Sequence, residues 1–478
     1  MPELNILFQP VGRYCRRDVI TCGTDDPLVS AATTMRERNI SSLVTTEEGQ
    51  PVGIITDRDL RNKVVALGRN PAELTVRQVM NSPLITIAED EFLFEALHLL
   101  SRRRIHRLAV TSPDGGLVGI ITDSDILRIQ TRSPQQLVRE IEEAAGLDEL
   151  TELHKRVQGL VEHLVGTGVK INDLVRLIAH LNDRILIRLA TLVRSQRFPD
   201  LTDRFALLVL GSEGRGEQTL TTDQDNALVY EDGLSEQQIT ELQSFSEALI
   251  EAVVRIGIPP CPGGIMASTP QWRHSLQGWR QQLNQWFGVP IPANILKISM
   301  VSDMRTLYGD PSLEQALRSH VSGRLMGNDA FLGHMTANLL RFAVPLGWFG
   351  RIKTEKPPHA GRLDLKKAGI FAVTEGVKIL ALSQGMQMQN TRERLASLQQ
   401  AGLLSPQEGK DLTAVYDSLV QFRLRSQVDD LRAGRKPDNL IMLADLNRME
   451  LGRLRSALEG VRSFQQLLQQ RYRLGQLM

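Results

Sequence analysis

The 478-residue chain has no apolar run approaching the ~20 residues that a membrane-spanning helix requires. It has only three cysteines, Cys15, Cys22 and Cys261, and no C-x-x-C pair. That excludes a disulfide framework and a four-cysteine zinc site. It has no excess of either charge: 56 Lys+Arg against 55 Asp+Glu leave a net charge of +1. A protein that coats nucleic acid or lies on an acidic membrane is normally far from that balance. Aromatic residues are 5%, too few to suggest a broad basic surface interleaved with stacking rings. The N-terminus lacks a basic stretch followed by an apolar core, so no signal peptide is read there. Hydrophobic residues are 42%, enough for folded cores. The expectation is a soluble, reduced, cytoplasmic protein of about three domains. Neither a membrane nor nucleic acid is expected as its partner.

What is present begins with an internal repeat. Gly53-Ile54-Ile55-Thr56-Asp57-Arg58-Asp59-Leu60 returns as Gly119-Ile120-Ile121-Thr122-Asp123-Ser124-Asp125-Ile126, 66 residues later. Upstream, Ile40-Ser41-Ser42-Leu43 matches Ile105-His106-Arg107-Leu108 at an offset of 65. One extra loop residue accounts for the change. Each copy reads helix, strand, turn, strand, helix, with helices at Leu28–Arg38 and Phe92–Arg103 and turns at Glu47–Gln50 and Pro113–Gly116. With G-h-h-T-x-x-D in both copies, residues 10–132 resemble a tandem pair of CBS domains. The resemblance implies that Thr56 and Asp59, then Thr122 and Asp125, hold the phosphate and ribose of a regulatory adenine nucleotide. The same Thr-Asp spacing also caps a helix. Pairs of this kind often dimerise, so a homodimer is expected.

Residues 134–198 carry apolar stripes at helical spacing, Leu150 to Leu164 and Leu174 to Leu189, broken at Gly166-Thr167-Gly168. They read as a helical hairpin connecting two modules.

The chemistry lies further on. The apolar run Phe205–Leu210 reads as a buried strand. Gly211-Ser212-Glu213-Gly214-Arg215-Gly216-Glu217 follows it directly, and Asp223-Gln224-Asp225 then leads into a second apolar run, Ala227–Tyr230. Backbone N–H groups and a hydroxyl at a strand end can face an anion. Two carboxylates spaced i and i+2 on a strand share one face and can ligate Mg²⁺. The segment G-S-x-x-R-x-E-(x)5-D-x-D resembles the nucleotidyltransferase superfamily of bacterial nitrogen-regulatory uridylyltransferases, DNA polymerase beta and aminoglycoside nucleotidyltransferases. The whole arrangement resembles a narrower bacterial family, the CBS-domain-linked nucleotidyltransferases with a helical substrate-binding domain. Further marks are Cys261-Pro262-Gly263-Gly264-Ile265-Met266-Ala267-Ser268, the series Trp272, Trp279 and Trp286, and Arg362-Leu363-Asp364-Leu365-Lys366-Lys367-Ala368-Gly369.

The resemblance implies that Gly211, Ser212, Arg215 and Glu217 bind the incoming nucleoside triphosphate, Arg215 by neutralising phosphate. It implies that Asp223 and Asp225 bind Mg²⁺ or Mn²⁺. A third carboxylate on a later strand is expected to join them as a catalytic group. The candidate to ligate the metal and help deprotonate the acceptor hydroxyl is Asp303, after the apolar stretch Ile295–Val301. The three tryptophans recur every seven residues, which suits one helix face packed on the sheet better than base stacking. Arg351, Lys353, Lys356, Arg362, Lys366 and Lys367, against Glu355 and Asp364, form a +4 stretch that suits an anionic ligand or a solvated loop. Ser405-Pro406-Gln407-Glu408 is a helix start, and the C-terminal third reads as a helical bundle.

The expected fold is a multidomain α/β plus α protein. A tandem CBS module spans 1–132, a helical connector 133–199, a polymerase-beta-like core 200–310 and a helical substrate-binding domain 311–478. The expected function is Mg²⁺-dependent transfer of a nucleoside monophosphate to a hydroxyl of a protein or small molecule, regulated at the CBS pair. The alternative is a non-catalytic nucleotide sensor. No His-Asp dipeptide occurs, so the hydrolase activity that accompanies nitrogen-regulatory uridylyltransferases is not expected.

Overall fold

The computed structural model describes residues 9–103, 105–126, 134–165, 169–220 and 224–472. The chain divides into two compact units, Met1–Gln136 and Leu137–Met478.

In the first unit each repeat builds a three-stranded sheet. Strand β1 (Thr21–Gly23) runs parallel to β2 (Ser42–Glu47), which pairs antiparallel with β3 (Gln50–Thr56). Strands β4 (Thr86–Ala88), β5 (Arg107–Thr111) and β6 (Leu117–Thr122) repeat that pattern. Parallel neighbours need a crossover longer than a tight turn. The helices Leu28–Glu37 and Leu93–Arg103 supply it. These elements stand where the repeat places them. The three-residue β1 and β4 carry too little pattern to be read from sequence.

The two copies also exchange their lead-in segments. Val11 is buried in the second copy's core with Leu93, Leu108 and Ile121. Val76 and Val79 are buried in the first copy's core with Leu28, Leu43 and Ile55. Arg16 bridges to Ile120, and Asn81 to Ile54. Neither copy closes its core from one contiguous segment, so the pair is one folding unit.

The second unit contains a four-stranded sheet in the order β10-β7-β8-β9. Strands β7 (Phe205–Val209) and β8 (Asn226–Tyr230) are antiparallel, β9 (Arg273–Ser275) is parallel to β8, and β10 (Arg305–Gly309) is antiparallel to β7. Every residue of β7 is buried because helices cover both faces. Phe205, Leu207 and Val209 pack in one cluster with Leu189 and Val193 of the helix Ile171–Arg197 and with Phe245 and Leu249 of the helix Glu236–Arg255. Ala206, Leu208 and Leu210 pack in another with Trp279, Leu283 and Ile298. The helices expected as a connector are therefore a layer of the sheet's own core. Trp272, Trp279 and Trp286 are buried with ring centroids 5.6–6.2 Å apart. Trp279 Nε1 donates to Leu228 O at 2.9 Å. Two of them lie on the helix Leu276–Gly288. The packing role is the one observed.

The stretch Ile295–Val301 lies within a helix, Pro292–Val301, and not a strand. Proline at its first turn, where the missing N–H costs nothing, starts it. The cluster that contains Ala206 continues without a break through the C-terminal helices to Leu468. At its centre is the helix Phe371–Ser383, buried throughout from Ala372 to Leu382. The helices Asp329–Leu340, Thr391–Gln400, Pro406–Arg432 and Arg448–Arg471 contribute to the same core. Pro406–Arg432 opens with the expected capping box from Ser405 and Glu408.

Candidate functional site

Strand β7 ends and β8 begins at the same edge of the sheet, with Val209 opposite Asn226. That register brings the Gly211–Gly214 turn beside Asp225. Gly211 has φ +53°, a left-handed conformation that glycine adopts without steric cost. A β-carbon on it would lie 3.2 Å from an Asp225 carboxylate oxygen. Gly214 is fixed by close approach, since a β-carbon there would sit 1.9 Å from the Asp303 carbonyl oxygen. Ser212 is partly exposed on this turn, and Asp225 is half-buried. The structure thus brings Gly211, Ser212 and Asp225 together. Asp223 lies outside the described residues. Strand β8 starts at Asn226, so Asp225 precedes the regular ladder, and Gln224 bridges instead to Pro260.

The turn has an acidic side. Glu213 is buried, and its carboxylate accepts from Gln218 Nε2 at 2.8 Å. Burial, then the neighbouring charges of Asp225 and Asp183, push its pKa well up, so it holds a proton far above the usual carboxylate range. Arg305 Nη2 reaches Asp183 Oδ1 at 2.9 Å and the Glu213 carbonyl at 3.0 Å, partly offsetting this. Cys261 is half-buried, and burial followed by the Asp225 charge raises its thiol pKa.

The other side is cationic and closed. Asp303 is fully buried. Arg215 Nη1 and Lys378 Nζ meet its Oδ2 at 2.6 and 2.7 Å, and Arg394 Nη1 meets its Oδ1 at 2.9 Å. Burial alone would raise the Asp303 pKa. The charges of Lys378, Arg215 and Arg394 more than reverse that and hold it well below the usual carboxylate range. A carboxylate already surrounded by three cations is a poor ligand for a fourth. The expected roles of Asp303 as metal ligand and catalytic carboxylate are therefore corrected to that of a buried counter-ion. Arg215 and Glu217 are corrected too. Arg215 donates to Glu217 Oε2 at 2.8 Å, and Thr391 Oγ1 donates to the same oxygen at 3.0 Å. Asn390 Nδ2 donates to the Arg215 carbonyl at 3.2 Å. Both motif residues fasten the turn to the C-terminal helices instead of facing a nucleotide.

Sequence reasoning missed Glu213, Asp183, Arg305, Lys378 and Arg394. Lys378 left a trace, as a lysine three residues after Glu375 in an otherwise apolar helix. Its Nζ meets Glu375 Oε1 at 2.7 Å, and Ser299 Oγ donates to Glu375 Oε2. Among the described residues, no group of three or more His, Cys, Asp or Glu has metal-binding geometry. Of the expected metal ligands, Asp225 lies at the turn and Asp223 lies outside the described residues.

In the first unit, Thr56 Oγ1 donates to Asp59 Oδ2 at 2.6 Å and caps the helix Asp57–Lys63. Asn81 and Lys63 fill Asp59 Oδ1 at 2.8 and 3.2 Å. Thr122 Oγ1 donates to Asp125 Oδ2 at 2.7 Å, and Arg16 Nη2 meets Asp125 Oδ1 at 3.1 Å. Both pairs make the capping contacts.

A family described as "Putative nucleotidyltransferase DUF294" matches residues 155–293, its "Putative nucleotidyltransferase substrate binding domain" matches 329–472, and the CBS domain matches 11–66 and 76–132. The chain belongs to the family in which CBS domains are joined to this "putative nucleotidyltransferase" domain and its substrate-binding domain. Its similarity to curated proteins is partial. It is 44% identical over 121 residues to an uncharacterized protein of Methanopyrus kandleri, covering 25% of this chain and 62% of that one. It is 36% identical over 114 residues to an inosine-5′-monophosphate dehydrogenase of Thermoplasma acidophilum, covering 24% and 22%. The chain spans less than two thirds of either relative's length. Among solved structures it is similar to one described as "a putative signal-transduction protein with CBS domains" from Burkholderia ambifaria, at 25% identity and a TM-score of 0.23, covering 24% of this chain and 83% of that one. Among the described residues no helix is long and apolar enough to cross a membrane.

Proposed function

We propose that the protein is a cytoplasmic, Mg²⁺-dependent nucleotidyltransferase that moves a nucleoside monophosphate from a triphosphate to a hydroxyl of a protein or small-molecule acceptor. The observation that carries this reading is the meeting of Gly211, Ser212 and Asp225 where β7 ends and β8 begins, in a chain whose family match covers that segment. The Ser212 hydroxyl and the turn's N–H groups hold the triphosphate. The acceptor oxygen bonds to the α-phosphorus as its hydroxyl proton passes to solvent, the bond from that phosphorus to the bridging oxygen breaks, and pyrophosphate leaves. Asp225, with Asp223, holds Mg²⁺ (or Mn²⁺), which when bound neutralises charge building on the phosphates. Asp303 is left out of this set by its three cationic neighbours. An adenine nucleotide at the Thr56/Asp59 and Thr122/Asp125 motifs regulates the reaction, and the chain works as a homodimer. Transfer of α-labelled triphosphates to lysate components by wild-type and Asp225→Ala chains tests this. Equal labelling by both contradicts it.

A second reading is a non-catalytic nucleotide sensor. The commitment of Asp303 to cations favours it, because the expected third carboxylate is then missing. Mg²⁺-dependent triphosphate binding without pyrophosphate release would support it.

A further inference from the structure

Residues Pro345–Lys353 form a short hairpin. Leu346 bridges to Ile352, Gly347 N–H donates to Arg351 O at 2.7 Å, and Lys353 N–H donates to Pro345 O at 2.8 Å. Its base is anchored on the helix Arg448–Arg471. Leu346 is buried and its carbonyl accepts from Arg462 Nη2 at 2.7 Å, while Gln465 Nε2 donates to Phe342 O at 3.0 Å. The tip carries Trp348, 88% exposed, and Phe349, 101% exposed. Phe349 also sits at φ +55°, a left-handed conformation that costs a residue with a β-carbon ~1–2 kcal/mol. Leaving two large rings in water forgoes burial worth roughly 1.5–3 kcal/mol each. A strained, solvent-facing aromatic pair on a firmly anchored base points to a surface kept for something to bind.

The surroundings say what kind of partner fits. Arg341, Arg351, Lys353 and Lys356 are exposed in the chain that flanks the tip, with Glu355 the one acid between 341 and 356, and Arg455 and Glu459 of the helix Arg448–Arg471 approach the tip at Gly350. None of the four enters an ion pair among the described residues. Nor do the N–H groups of Trp348 and Phe349 have an acceptor there. We infer that this tip is a docking surface for a partner protein, which seats Trp348 and Phe349 in an apolar recess rimmed by Asp and Glu carboxylates. Carboxylates complement both the four cations and the two N–H donors. A bilayer's hydrocarbon would leave those N–H groups unpaired. A nucleic-acid strand follows an extended basic groove, whereas these cations flank a single tip. Aromatic anchors within a charged rim are the usual composition of an interface centre. This inference does not depend on the transferase reading.

The remaining tryptophans, Trp272, Trp279 and Trp286, are buried. Acrylamide-sensitive fluorescence of the full chain therefore reports on Trp348. The probes are a synthetic Glu–Leu peptide, its Lys–Leu counterpart, phosphatidylglycerol vesicles and oligodeoxythymidylate. The Glu–Leu peptide is expected to shift Trp348 emission to the blue and protect it from quenching, with an effect that weakens as salt rises. Phe349→Gly, which suits the left-handed backbone and keeps the fold, is expected to weaken that binding at least ~10-fold, as is Lys353→Glu. No shift with the Glu–Leu peptide, an equal shift with the Lys–Leu peptide, a stronger one with vesicles or oligodeoxythymidylate, or full binding by Phe349→Gly would each overturn the inference.

Discussion

The two sides of the Gly211–Gly214 turn hold buried acids in opposite states. On one side, Asp303 is ringed by Arg215, Lys378 and Arg394, and its carboxyl is held ionised. On the other, Glu213 lies buried within the influence of Asp225 and Asp183, and it holds its proton. Residue type says little about either. The same carboxyl chemistry serves as structural cement where cations close around it, and is driven toward its neutral form where acids crowd together. The first side joins the turn to the C-terminal helices. The second is the side to which the proposed function assigns the metal and the triphosphate.

The largest effect should come from breaking the cationic side. Asp303→Ala leaves three buried cations without their shared counter-ion, and about 3–5 kcal/mol of stability should be lost. Denaturant unfolding of the variant checks this, and removing one cation as well, in Asp303→Ala/Lys378→Met, should restore part of the loss. A smaller effect on the same side is expected from Thr391→Val. It deletes one donor to the buried Glu217 carboxylate and should cost about 1.5 kcal/mol in the same assay.

The contrast also has a pH signature. The folded-state pKa of Asp303 is depressed, so its contribution is present above its unfolded value of about 3.9 and is lost as pH falls toward the folded one. The folded-state pKa of Glu213 is raised, so its contribution is full below about 4.3 and is lost as pH rises through the folded value. Glu213→Gln should therefore flatten the part of a thermal stability profile that falls from about pH 4.3 up to the folded value, leaving the variant the more stable of the two above that window. The buried Gln218 Oε1, which has no partner among the described residues, could accept from the new amide. A profile unchanged by Glu213→Gln would remove the acidic half of the comparison.

Much of the fold was legible because it rests on local pattern. The 65–66-residue repeat placed the sheets of the first unit, the apolar run placed β7, and the Ser405 capping box placed the start of a long helix. The meeting of Gly211, Ser212 and Asp225 was legible for the same reason, since two adjacent strands and the turn between them impose it. What was misread depends on partners far along the chain. Arg215 and Asp303 are 88 residues apart, and Asp303 and Arg394 are 91 apart. A motif shows that an arginine and two carboxylates exist, but it cannot show that they neutralise one another in a core assembled from a later helix. The run before Asp303 misled for a different reason. Its residues suit a buried strand or a buried helix equally, and Pro292 decided for the helix.

On the proposed function, the acidic side of the turn binds a metal–triphosphate while the cationic side holds the fold together. Calorimetric titration of a non-hydrolysable nucleoside triphosphate into wild type and Asp225→Ala, with and without Mg²⁺, tests it most directly. Wild type should bind only when Mg²⁺ is present, and Asp225→Ala should bind at least ~10-fold more weakly with no loss of stability. Equal binding by the two proteins, or binding indifferent to Mg²⁺, would contradict it.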